Sequence, residues 1–187
     1  MEVNEEIIEQ YLKFVQGWFY ISDISFRVPR NYSNIDLLAF DPKSGNYYDI
    51  EVKYRSAFSL PAKSLRGGDQ SLSSVKKLVA QFTSRNRAKR LSQYTNWKKP
   101  RKILVTTKRL FGRSETKRAT MERAFRAMLK QKGHRRVQVW YFDDIIPKIV
   151  ASVHRRGRYN TELLQAIRMI KDFQPELKAL PNPPDAR

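Results

Sequence analysis

The sequence predicts an α/β sandwich around one central mixed sheet. Three patterns lead there: an amphipathic first helix, two early strand-like runs joined by a tight turn, and a later alternation of helices with β-branched strands. At 187 residues the chain suits one compact domain with a short appendage, and it is long enough to bury a hydrophobic core without a disulfide or zinc staple. The domain is placed at residues 1–158, and the C-terminal helix and Pro-rich tail at 159–187.

Asn4 can cap a first helix in which Ile7, Ile8, Tyr11, Leu12 and Val15 recur at helical spacing up to Gly17. Residues 18–28 are aromatic and β-branched and read as a strand, with 29–34 as the connection. Residues 35–40 and 47–54 read as two strands joined by the turn 41–46, whose Pro42 and Gly45 favour a hairpin. Gly67-Gly68-Asp69 breaks the chain and caps a helix with Leu72, Val75, Val79 and Phe82 on one face. Periodicity then fails over 85–101, which reads as a basic loop or frayed helix end. Residues 102–107 form a buried-type strand, Ser114 caps a helix with Met121, Phe125 and Met128 inward, and 137–142 form another strand. Asp143 starts a short helix, and a last helix spans 161–173 before a tail containing Pro175, Pro181, Pro183 and Pro184. No internal repeat is visible.

The chain carries 37 Lys and Arg against 18 Asp and Glu, a net charge of +19. The distribution is sharper than the total. Residues 70–142 hold 21 of the basic residues and only two acids, Glu115 and Glu122, so the whole excess lies in one section and the remainder is neutral. Such a field repels itself, and a polyanion offsets it, nucleic acid ahead of an anionic membrane. A merely solubilising basic surface is the plainer alternative. Cysteine is absent, which excludes thiol catalysis, disulfides and Cys-type zinc or iron–sulfur centres. The acidic start MEVNEEIIEQ lacks the features of a secretory signal, and no apolar run approaches the roughly 20 residues of a membrane span. The expectation is a protein without membrane association, cytoplasmic and associated with the nucleoid.

The chemistry concentrates in Ile35-Asp36-Leu37-Leu38-Ala39-Phe40 and Asp49-Ile50-Glu51-Val52-Lys53. Strand alternation sends Ile50 and Val52 to one face and Glu51 and Lys53 to the other. Asp36 lies early in an apolar strand, where an acid is costly without a partner, and the hairpin brings it beside Glu51. Two carboxylates and an ammonium then converge into a cage for an oxygen-preferring divalent cation, Mg2+ or Mn2+, held by Asp36 and Glu51. Such a cation neutralises phosphate and activates water, while Lys53 orients the water and stabilises charge on the phosphate. The plainer alternative is an ordinary salt bridge between Glu51 and Lys53.

The pattern resembles the PD-(D/E)xK, or restriction-endonuclease-like, superfamily, in particular its archaeal-type Holliday-junction resolvase branch and related small nucleases. The motif covers residues 4–56, and beyond them only the order of elements follows as far as Val150. Ile35 stands where the proline that names the motif would precede Asp36. The resemblance implies a restriction-endonuclease-like α/β/α sandwich, a metal-dependent endonuclease acting on DNA, and a site glutamate on the first helix. Among Glu5, Glu6 and Glu9, Glu5 falls nearest the edge of the apolar stripe beside Leu12, and the family spacing to Tyr11-Leu12 favours it too. A solvated acidic first turn is the alternative. Lys76, Lys77, Arg85, Arg87, Lys89, Arg90, Lys98, Lys99, Arg123 and Arg126 are the expected phosphate contacts, which position DNA without reading it. A non-catalytic nucleic-acid-binding protein with the same fold is the rival reading. A two-fold homodimer and a monomer working with a partner protein both remain open.

Other motifs carry less. His134 and His154 sit in basic strings and support neither a metal site nor a triad. Asp143-Asp144 reads as a helix cap, and Gly67-Gly68 lacks the lysine of a nucleotide-binding loop. Tyr94 and Trp97 have the chemistry to stack on unpaired bases, although packing within the core or loop is the simpler expectation.

Overall fold

The computed structural model describes residues 3–28, 31–54, 70–112, 114–134, 136–154 and 156–179. Helix α1 (Val3–Gln10) runs into a π-helical turn (Tyr11–Gln16), followed by strands β1 (Phe19–Val28), β2 (Asn31–Asp41) and β3 (Asn46–Lys53). Helices α2 (Gln70–Thr83) and α3 (Arg85–Ser92) lead to β4 (Arg101–Thr106), α4 (Glu115–Gln131) to β5 (Val137–Tyr141), and α5 (Phe142–Ser152) and α6 (Glu162–Ala179) close the chain.

The five strands form one sheet in the order β1-β2-β3-β4-β5. The β1–β2 and β2–β3 pairs are antiparallel, and the β3–β4 and β4–β5 pairs are parallel. Parallel neighbours need crossovers, and these supply the helices: α2 and α3 between β3 and β4, and α4 between β4 and β5. Both faces are therefore covered, so the middle strands read as nearly continuous apolar runs. One face holds Leu37, Ala39, Ile50, Val52, Ile103 and Val105 against Ile8, Tyr11 and Leu12 of the first helix, Ile145 and Ile149 of α5, and Leu164 of α6. The other packs Leu104 and Val137 against Val75, Val79, Phe82, Phe125 and Leu129 of α2 and α4.

Local chemistry fixes the ends. Gly17, at φ 68, closes the first helix, and the Trp18 N–H donates back to the Leu12 carbonyl at 2.9 Å. Asp41 holds the hairpin turn by accepting from the Lys43 N–H at 2.9 Å and the Ser44 hydroxyl at 2.5 Å, with Gly45 at φ 66. Ser114 caps α4, accepting from the Lys117 N–H at 3.3 Å.

Two expectations are corrected. Residues 85–92 form the helix α3 and not a basic loop or frayed end, because Arg87 and Leu91, four residues apart, are its buried positions. A charged residue on the inward stripe hides the helical period. The last helix also continues through Pro175 to Ala179, as α5 continues through the solvent-exposed Pro147. Proline removes one backbone donor and opens its helix locally, which is least costly on a face turned to water. The break expected at Gly67-Gly68-Asp69 lies outside the described residues, as does the tail from 180.

Candidate active site

Strand β2 does not alternate regularly. Ile35 and Leu38 share a cluster with Ile24, Phe26 and Leu91, whereas Leu37 faces the other core. The change of face falls at Asp36. On β1, the neighbouring Asp23 adopts a left-handed φ of 52 between the paired residues Ser22 and Ile24. Pairing of β2 with β3 stops at Leu37 and Ile50, and the next donor along β3, the Val52 N–H, goes to Asp36 Oδ2 at 2.6 Å. A carboxylate has replaced a backbone carbonyl in the ladder, and this holds Asp36 at the edge of β3.

Glu51 and Lys53 point to the same side of β3, as alternation predicts. Lys53 Nζ lies 2.6 Å from Glu51 Oε1 and 3.8 Å from Asp36 Oδ2. Burial, and then the negative charge of Glu51, push the Asp36 carboxyl up to about 7 against the opposing pull of Lys53, the Val52 N–H and Arg87. Lys53 loses some basicity to burial, but Glu51 and Asp36 outweigh this and raise its pKa.

A second cluster sits two residues back on β3. Asp49 is fully buried and accepts from the Arg87 guanidinium, with Nη2 at 2.5 Å from Oδ1, and from the Lys102 ammonium. Arg87 also reaches the site itself, its Nη1 lying 2.5 Å from Glu51 Oε2. Burial opposes ionisation of Asp49, but Lys102 and Arg87 together overcome it and lower its pKa. Burial likewise works against Arg87, and its two carboxylate partners more than reverse the effect, raising its pKa. Lys102 is the group held below its usual value, by burial and the nearby Arg87, despite its bond to Asp49.

Arg87 is therefore a correction. Expected to contact phosphate, it is only 2% exposed and spends its guanidinium on two buried carboxylates. Asp49 and Lys102 went unassigned in the sequence, although parity along β3 places Asp49 with Glu51 and Lys53, and Lys102 opens an otherwise apolar interior strand. What the sequence lacked was any sign that a helix 36 residues beyond Glu51 would return an arginine to both acids.

Among the described residues no group of three or more His, Cys, Asp or Glu is placed to hold a metal ion. Glu5, the glutamate expected to join the site, is half-buried on α1. The helix packs against the face formed by Leu37, Ile50 and Val52, away from Glu51 and Lys53. Its buried acid is Glu9, the position thought farther round. Glu9 accepts from the Tyr20 hydroxyl at 3.2 Å, and its Oε1 lacks a hydrogen-bond partner.

Lys53 and Arg87 open onto a cleft of about 750 Å³, walled by Phe26 and Val28 of β1, Ser33 of β2, Lys77 and Gln81 of α2, and Ser84. Lys77 is the other expected phosphate contact that lines it. Lys76, Arg85, Lys89, Lys98, Lys99, Arg123 and Arg126 are exposed elsewhere, and Arg90 is half-buried over the Tyr94 ring. Arg126 is tied to Glu122 at 2.6 Å and to the Val137 carbonyl at 2.8 Å. Asp143 accepts from the Lys108 N–H at 3.1 Å, and Asp144 pairs with the Lys108 ammonium at 3.0 Å. The Asp143-Asp144 pair thus holds the preceding segment as well as opening α5. Burial, followed by Lys102 and Lys99, lowers His134 to about 4 and keeps it neutral.

Comparisons with protein-family models, curated proteins and solved structures return no match. No helix among the described residues is long and apolar enough to cross a membrane. Function therefore has to be argued from the side chains themselves.

Proposed function

We propose that this chain is a metal-dependent endonuclease of the PD-(D/E)xK type, acting on DNA through Asp36, Glu51 and Lys53 on a restriction-endonuclease-like fold. One observation carries the reading: Asp36 and Glu51 converge on Lys53, which lines a cleft, with Asp36 under-neutralised while the neighbouring Asp49 is fully paired. An acid left at that level of protonation beside a second carboxylate is a ready site for a hard cation.

The donor set fits Mg2+ or Mn2+. Asp36 and Glu51 would hold it. Lys53, 29% exposed on a flexible stem, can release Glu51 Oε1 to the ion, whereas Arg87 fixes the other oxygen and so sets the carboxylate's orientation. When bound, such an ion lowers the pKa of a coordinated water and neutralises phosphate. Lys53, freed from Glu51, places a positive charge beside the reacting phosphate and can orient the attacking water. Lys77 and the exposed cations of residues 70–142 hold the DNA backbone, giving affinity that is largely sequence-independent and steeply salt-dependent.

A non-catalytic nucleic-acid-binding protein is favoured by one specific observation: both Glu51 oxygens already have basic partners. The amide variants Asp36→Asn and Glu51→Gln separate the two. The nuclease reading expects cleavage of linear, nicked, single-stranded and four-way-junction DNA with Mg2+ or Mn2+ to collapse in both variants. Metal affinity by calorimetry should fall, and DNA affinity in chelator should hold or rise as one negative charge leaves the phosphate path. Cleavage by both variants at the parent's rate would overturn this active site, and a parent that binds but never cuts would leave the binding reading.

A further inference from the structure

The chain has three tryptophans, and it treats one of them differently. Trp18 stacks on Tyr48 with ring centroids 4.4 Å apart, and Trp140 packs edge-on against Tyr11 at 5.6 Å. Trp97 is 81% exposed, in the loop between α3 and β4. Exposing an indole forgoes the largest burial gain any side chain offers. The backbone bears a cost as well, because Asn96 and Trp97 are consecutive left-handed residues at φ 46 and φ 63. A bulky side chain in that region is strained and persists only where its surroundings enforce it.

The surroundings do enforce it. Thr95 is fully buried, and its hydroxyl donates to the Lys98 carbonyl at 2.7 Å. The Trp97 N–H donates to the Ser92 carbonyl at 3.2 Å and the Lys98 N–H to the Thr95 carbonyl at 3.0 Å. The loop is thus pinned with its indole outward. Tyr94, also exposed, lies under the Arg90 guanidinium at 5.2 Å, and the exposed Lys98 follows Trp97 directly. Aromatic faces interleaved with cations suit a polyanion whose bases are unpaired: the rings stack on any base and the cations meet phosphates. In a duplex the base faces are already stacked on each other.

We propose that Trp97, with Tyr94, Arg90 and Lys98, is a stacking platform for a single-stranded segment of DNA, separate from the cleft. It rests on the reading of this chain as a DNA nuclease and narrows the substrate to DNA with an unpaired portion beside the cut. Position supports the separation. Arg101, which follows the loop, pairs with Tyr48, while Thr106 pairs with Lys53. The loop that carries Trp97 therefore leads into the end of β4 opposite the end that meets Lys53.

The test measures binding of the full chain, in chelator, to labelled oligo(dT) and to a blunt duplex of equal length, with metal-dependent cleavage assayed separately. Trp97→Ala is expected to weaken oligo(dT) binding by about 5- to 150-fold, the effect of one lost stack, and to change duplex binding by less than about twofold. Trp97→Phe should recover most of the loss. An equal loss on both DNAs, no loss on oligo(dT), or a Phe variant no better than Ala overturns the platform. If the parent still cleaves while Trp97→Ala binds oligo(dT) normally, the platform alone falls. If the parent binds neither DNA, the platform and the nuclease reading fall together.

Discussion

Two acids on strand β3 lie two residues apart on the same side and have opposite fates. Asp49 is completely enclosed and held by Arg87 and Lys102. Glu51 shares Arg87, but it also touches Lys53 at the cleft, and its charge adds to burial in pushing the Asp36 carboxyl up to about 7. The difference teaches how charge is divided between structure and chemistry. Asp49 has its counter-charges built in and no outlet to solvent, so it can anchor α3 and β4 to β3 but cannot bind anything further. The Asp36–Glu51 pair is incompletely compensated and reaches the cleft through the part-exposed Lys53, which is why the proposed cation is placed there and not at Asp49.

The largest effect should come from breaking the closed cluster. Arg87→Ala strands Asp49 and Glu51 as buried carboxylates lacking their shared partner, and stability measured by urea unfolding should fall by about 3–5 kcal/mol. A surface phosphate contact would instead leave stability unchanged and reduce only DNA affinity.

Removing the part-exposed cation Lys53 tests the open cluster. Lys53→Ala retains both metal carboxylates, so calorimetry should still detect metal binding while the cleavage rate drops by about 100-fold or more, the scale of a lost electrostatic stabiliser. Near-parental turnover would make the Glu51–Lys53 contact an ordinary ion pair.

The two clusters should also separate by pH. Asp36 titrates at about 7 in the folded protein against an ordinary 3.8, so between those values the folded state binds a proton that the unfolded chain releases. Its contribution to stability is therefore lost as pH rises through that window. In chelator, the melting temperature should fall from about pH 5 to about pH 8, and Asp36→Asn should remove most of this slope. Mg2+ should restore more at the upper end, where the proton no longer competes for the site. Asp49, whose pKa is lowered, acts in the reverse sense: its contribution is present above the usual carboxylate value and lost only in stronger acid.

The smallest expected effect belongs to the cleft wall. Lys77→Ala should lower DNA affinity several-fold and reduce the slope of log K against log salt by about 0.9, with melting temperature unchanged. An unaltered salt slope would place the DNA backbone on another surface.

Sequence by itself determined the α/β class, the hairpin and the pairing of Glu51 with Lys53, because these depend on alternation, turn chemistry and neighbours along the chain. It also located the basic section, since charge needs no fold to be counted. Tertiary structure decided what each charge does. Arg87 looked like one cation among many until α3 turned it inward onto β3, and Trp97 looked like a packing residue until the loop around Thr95 held it outward. Glu9, and not Glu5, became the buried acid of the first helix, because wrapping against the sheet buries Ile8, Glu9, Gln10, Tyr11 and Leu12 together, a broader band than the apolar stripe alone marks. The physical reason is common to all three. Periodicity reports which side of its own element a residue occupies, while burial and pairing depend on what another element, dozens of residues away, brings to meet it.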